Sequence, residues 1–166
     1  MDKDSEHTEE TFKPAWDNWS IITTVICLMI AGVLVGTAFT YHELGYRILL
    51  VVIAVVLVAF VFTFPYRVTL IDRKVIRLSF VGYSKEFDLE SYKLIASGRE
   101  FAKGAWRLFA SGGHFGYRGW WRLKDGRGFF SYLTNFSRHV RFLSDGKQII
   151  ALNAPKAWFT ADLKNE

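Results

Sequence analysis

Cysteine is nearly missing from this chain: Cys27 is the one thiol in 166 residues. An intramolecular disulfide is excluded, and so is a cysteine-based zinc site. The four histidines, His7, His42, His114 and His139, follow neither HxxxH nor HExxH spacing, so no metal is expected. There is no Gly-x-Ser-x-Gly elbow, the turn that exposes a nucleophilic serine. Gly112, Gly113, Gly116 and Gly119 do not form GxxxxGK[ST], and strand-like Trp120-Trp121-Arg122-Leu123 follows them. A phosphate loop instead needs a helix whose first amides hold the anion. No cofactor and no enzymatic activity are expected.

Charge is missing from two long runs. Ile21 to Tyr41 is 21 residues without a charge, and Ile48 to Phe64 is 17 more. A bilayer core needs about 20 apolar residues in a helix, with a lower limit near 17. The sequence therefore predicts two transmembrane helices, over about 20–41 and 46–64. His42-Glu43-Leu44-Gly45 between them is a short polar break, so the two form an antiparallel hairpin within residues 19–65. A signal peptide is a poor alternative. Residues 1–18 carry six acids against two lysines, where a signal peptide carries a positive n-region. Trp16, Trp19, Tyr41, Tyr46 and Tyr66 flank the runs, as interfacial aromatics do. Gly32 and Gly36 give a GxxxG spacing, which suits packing against the second helix or against another copy. Cys27 falls inside the first run, where a thiolate is unfavourable.

What charge there is lies unevenly. The tail 1–18 has a net charge of −4, whereas residues 66–166 hold 18 Lys/Arg and 9 Asp/Glu, a net of +9. Arg67, Arg73, Lys74 and Arg77 follow the second run closely, and the link between the runs has only Arg47. Positive residues favour the cytoplasmic side, so both termini are expected there.

From Tyr66 the apolar period changes to two, and residues 66–166 read as a mainly-β domain. Strands are predicted over 66–71, 75–80, 83–89, 92–97, 105–110, 119–123, 128–133, 138–143 and 147–152. Lys124-Asp125-Gly126 and Ser144-Asp145-Gly146 are turn signals. Pro155 with Ala157, Trp158 and Ala161 at helical spacing predicts a C-terminal helix over about 155–164. Closing the strands into a small antiparallel barrel, about seven strands capped by that helix, would protect the sheet edges. Arg127-Gly128-Phe129-Phe130-Ser131-Tyr132 is similar to an RNA-recognition strand, but that fold needs two helices between its strands. No nucleic-acid partner is expected.

The stretch GGHFGYRGWWRLKDGRGFFSYLTNFSRHVRFLSDGKQIIALNAPKAWFTADL, residues 112–163, resembles the membrane-anchored bacterial proteins with a pleckstrin-homology-like domain. The resemblance rests on the glycine-aromatic bend, the strand end Tyr132-Leu133-Thr134, two hairpin strands and a proline before the last helix. Asn153-Ala154-Pro155 stands where that family often has Ser-Pro. The resemblance implies a pleckstrin-homology-like barrel on the cytoplasmic face of a bacterial inner membrane. It does not imply phosphoinositide binding.

The basic excess is the signal of a partner. Arg67, Arg73, Lys74, Arg77 and Lys85 are the candidate contacts to anionic lipid headgroups, each cation near an anionic leaflet contributing about 1 kcal/mol. The expected function is a membrane-anchored, non-enzymatic interaction module that docks a protein partner or a second copy at the bilayer. The alternatives are an anionic-phospholipid sensor and an accessory subunit of a transport or signalling complex.

Overall fold

The computed structural model describes residues 8–110 and 116–159. Two α-helices, α1 (Asn18–Ala38) and α2 (Leu44–Ala59), stand between the first β-strand and all the others. Asp17 caps α1 by accepting a hydrogen bond from the Ser20 amide at 2.7 Å, which satisfies one of the orphan donors of the first turn. At 21 residues, α1 is about 31 Å long, enough to cross a hydrocarbon core of about 30 Å. Its mean hydropathy is 2.4, and most of its apolar side chains are exposed rather than packed in a protein core.

The predicted second span is shorter as an α-helix than the run suggested. At 16 residues, α2 measures about 24 Å and then tightens into a 3₁₀ turn, Phe60–Thr63. Pro65 explains the stop: it forbids helical backbone at the preceding residue, and Phe64 is extended, with φ −107° and ψ 142°. Of the two uses expected of the GxxxG spacing, close packing of these glycines on the second helix is not what the structure has. A side chain on Gly32 or Gly36 would meet nothing within 4 Å. Small residues are buried elsewhere on the helices, among them Ala31 and Ala38 of α1 and Ala54 of α2.

Among the described residues, ten strands form two open sheets. The first holds β1 (Glu9–Phe12), β2 (Arg67–Ile71), β3 (Val75–Phe80) and β4 (Tyr83–Asp88), in that order and antiparallel throughout. The second holds β5 (Lys93–Ser97), β6 (Trp106–Ala110), β7 (Tyr117–Arg122), β8 (Gly128–Leu133), β9 (Val140–Ser144) and β10 (Ile149–Asn153). Its order is β5-β9-β10-β8-β7-β6.

The two sheets pack face to face. Val68, Leu70, Ile76, Leu78 and Phe87 of the first meet Tyr132, Leu143, Ile150 and Leu152 of the second. Strand β10 is buried at every position: Ile150 and Leu152 enter this core, while Ile149 and Ala151 enter another on the opposite face. That second core gathers Phe129, Phe142, Leu133 and Trp121, with Ala96 from one edge strand and Ala105 beside the other. Side chains from both edges meet one cluster, so the six-stranded sheet curls around it. Phe101, in the turn joining β5 to β6, lies against Phe142 at 4.7 Å between ring centres.

This architecture overturns the predicted seven-stranded antiparallel barrel capped by a helix. The strands sit close to where their periodicity put them, but the sheets are open and β8 pairs with β10 in parallel. The chain leaves β8, passes residues 134–139, lays down β9 one place further on, and returns β10 into the gap. Buried Asn153 holds that crossover. Its Oδ1 accepts from the Thr134 amide at 2.8 Å, and its Nδ2 donates to the carbonyls of Asn135 and Arg138 at 2.7 and 2.8 Å. Asn153 is therefore a crossover staple. Where the final helix was expected, Lys156–Phe159 forms a 3₁₀ turn that buries Phe159 in the inter-sheet core; positions 160–164 of that expectation lie outside the described residues.

The acidic tail enters the fold as well. Glu9–Phe12 adds as an edge strand to β2, with Phe12 opposite Val68. Phe12 packs on the inter-sheet core and against Trp158, 6.4 Å between ring centres. EETF carries no β period of its own; an open strand edge and one apolar anchor place it.

Candidate functional site

The five cations proposed for lipid contact do not converge. Arg67 opens β2 and lies over the Tyr66 ring at 5.8 Å. Arg77 is paired across strands with Glu86 at 2.7 Å. Lys85 donates to the Tyr132 hydroxyl at 2.6 Å and sits 5.4 Å from the centre of the Phe87 ring. Arg73 and Lys74 line one cavity.

That cavity is a cleft of about 370 Å³ beside the β2–β3 turn. Asp72 and Arg73 both adopt left-handed backbone, φ 49° and 56°, a conformation disfavoured for residues with a Cβ. The geometry closes the two-residue hairpin between Ile71 and Lys74. Asp72 steadies the turn by accepting from the Thr8 amide at 3.1 Å. Lys93 joins Arg73 and Lys74 in the lining, with Glu10 and Glu90 as counter-charges and Leu70, Leu89 and Trp158 as apolar wall. Lys74 and Glu90 are 3.6 Å apart and largely exposed, so the pair adds little stability. The cleft is mixed in charge and has an indole wall. Sequence reading missed Lys93, Glu10 and Trp158 because they come from three distant segments that only tertiary packing joins.

Distance matters for the lipid reading. Arg73 lies six residues along the hairpin from Arg67, or about 20 Å at 3.3 Å per residue. The Debye length at physiological salt is about 8 Å. A leaflet at the helix end would act on Arg67 and hardly on Arg73 or Lys74.

A second constellation, where the helices meet the sheets, went unseen in the sequence. Tyr117, at the start of β7, donates its hydroxyl to Asp17 Oδ2 at 2.8 Å. The same carboxylate therefore caps α1 with one oxygen and holds a strand with the other. Burial, then the hydrogen bond and charge of Asp17, push the Tyr117 hydroxyl up to about 12. Next along β7, Arg118 donates to the carbonyl of Thr63, at the end of the 3₁₀ turn, and to the Tyr83 hydroxyl at 2.8 Å. Its guanidinium lies over the Phe80 ring at 5.2 Å. Gly116 makes room for Phe64 at this junction: it has φ 127°, and a Cβ there would meet the Leu133 carbonyl at 2.7 Å and the Phe64 ring at 2.9 Å. Cys27, Phe64 and Trp16 pack together beside it. Consecutive residues of one strand thus grip the start of α1 and the end of the segment following α2. The signal available in the sequence was Gly116-Tyr117-Arg118, read only as part of a bend.

Compared with known proteins, the chain matches no family model, no curated protein and no solved structure.

Proposed function

We propose that the chain is a membrane-tethered, non-enzymatic docking module whose sheet unit is held rigidly against its helical anchor. The observation that carries this reading is the double grip of β7, Tyr117 on Asp17 and Arg118 on Thr63. A flexible tether needs no such grip; a module that must present a surface at fixed height and orientation does. In this reading α2 crosses as well: its α-helical part and the 3₁₀ turn Phe60–Thr63 together measure about 32 Å, the length of α1. Both chain ends then lie on the cytoplasmic side of a bacterial inner membrane.

The cleft at the β2–β3 turn is the docking surface of this proposal. Glu10 and Glu90 beside Arg73, Lys74 and Lys93 suit a protein segment carrying both charges and an apolar side chain for Trp158. The two acids offset most of the charge of the three cations, which leaves little net attraction for an anionic headgroup. Affinity purification of the full chain from native membranes tests the proposal. A stoichiometric protein should accompany the wild type and be lost from Lys93→Glu and Trp158→Ala variants. Retention in both variants, or a lone chain carrying only lipid, would overturn it.

A further inference from the structure

We infer that the β6–β7 edge of the six-stranded sheet is a second membrane contact, an aromatic wedge seated in the interfacial layer of the leaflet where α1 begins. The inference rests on the membrane-tethered reading and adds a lipid-binding surface outside the helices. Phe109 is 86% exposed, and Trp106, Leu108 and Trp120 are each between 42 and 48% exposed. All four stand on two neighbouring strands, with Phe109 directly opposite Trp120, and exposed apolar side chains clustered on a protein surface mark a site of contact.

Three observations select lipid as the occupant. First, strand addition to the β6 edge is hindered. The register jumps between Arg107, opposite Trp121, and Phe109, opposite Trp120. Leu108 is the extra residue of a bulge, a device that twists an edge away from further pairing and re-aims its side chains. The strand presents side chains and not a ladder. Second, the patch is continuous with the helical anchor. Trp19 in the first turn of α1 lines one groove together with Trp106, Arg107, Tyr117 and Trp121. Strand β7 is itself fixed to the start of α1 through Tyr117, so the neighbouring edge is held at that level. Third, the chemistry is interfacial. Tryptophan rings settle at headgroup depth; Arg107 and Arg122, both exposed on the same strands, supply cations at the level of lipid phosphates. Phe109 stands opposite Trp120, and Trp120 opposite Phe130, a cross-strand aromatic row that ends in the most exposed ring.

Photo-crosslinking in the full chain tests this. The residue p-benzoylphenylalanine is placed at Phe109, at Ile26 on the exposed face of α1, and at Lys147 in the β9–β10 turn. Each variant is reconstituted in nanodiscs of phosphatidylcholine and phosphatidylglycerol, irradiated, and weighed by mass spectrometry. Positions 109 and 26 should each gain one phospholipid, and position 147 none. Lipid on 26 but not on 109 overturns the wedge and leaves the anchor standing. A chain-to-chain adduct at 109 overturns it in favour of a second copy. No lipid at 26 removes the membrane reading itself, and the wedge with it.

Discussion

Asp17 and Tyr117 are 100 positions apart in the chain and 2.8 Å apart in space. The first tests concern that pair. Asp17→Ala removes both the α1 cap and the tyrosine's acceptor. A lost cap costs about 1 kcal/mol, and a hydrogen bond to a charged group about 1.5–3 kcal/mol. Tyr117→Phe removes only the second. Denaturant unfolding in detergent should show both variants destabilised, Asp17→Ala more. Equal losses would mean that the cap contributes nothing.

The same tyrosine predicts a limit at high pH. Its hydroxyl ionises near 12 in the folded chain, against 10.0 for an unperturbed tyrosine. The fold therefore favours the neutral form. Its contribution is complete below pH 10 and is lost as pH rises through 12. Unfolding followed across this window should weaken in the wild type and change less in Tyr117→Phe.

Gly116→Val should destabilise the junction between helices and sheets. The position combines φ 127° with a Cβ site 2.7 Å from a backbone oxygen. Strain at such a site costs on the order of 1–3 kcal/mol before any clash is counted. Gly82 is the comparison, since it also has positive φ (89°) but open space around its Cβ site. Thermal unfolding of Gly82→Ala should show a smaller drop.

Arg118→Ala should loosen the sheet unit from the end of α2. Hydrogen exchange of the full chain in nanodiscs should rise over residues 60–66 and 117–122, with the interior of β10 unchanged. Arg118→Lys should rescue only partly, because an ammonium keeps the charge and the donors without the guanidinium plane that lies over Phe80. Full rescue would reduce the role to charge alone.

Asn153→Ala should be among the most damaging single changes. It leaves the buried Thr134 amide and the carbonyls of Asn135 and Arg138 without their present partner. The Thr134 amide and the Asn135 carbonyl are buried, and each such group left unpaired costs about 1–3 kcal/mol. Loss of cooperative unfolding, or failure to accumulate, is the expected outcome. A near-wild-type transition would show that the crossover is held by other contacts.

The sequence by itself determined the local elements. Uncharged runs specified α1 and α2 because apolar side chains recur in unbroken stretches there. Alternation specified β2 through β10 to within about two residues, and Lys124-Asp125-Gly126 and Ser144-Asp145-Gly146 marked real hairpins. These are short-range preferences, legible in a window of a few residues. Tertiary structure alone decided how the strands pair. Alternation says that Ile150 and Ile149 point to opposite faces; it does not say that both faces are buried, which is what places β10 between β9 and β8. The same holds for Glu9–Phe12, whose polar sequence became a strand only because β2 offered an unpaired edge and the core offered a seat to Phe12. It also holds for the sites. Lys93 reaches Arg73, and Tyr117 reaches Asp17, through pairings between distant segments, whose closure entropy is offset only when the whole core forms.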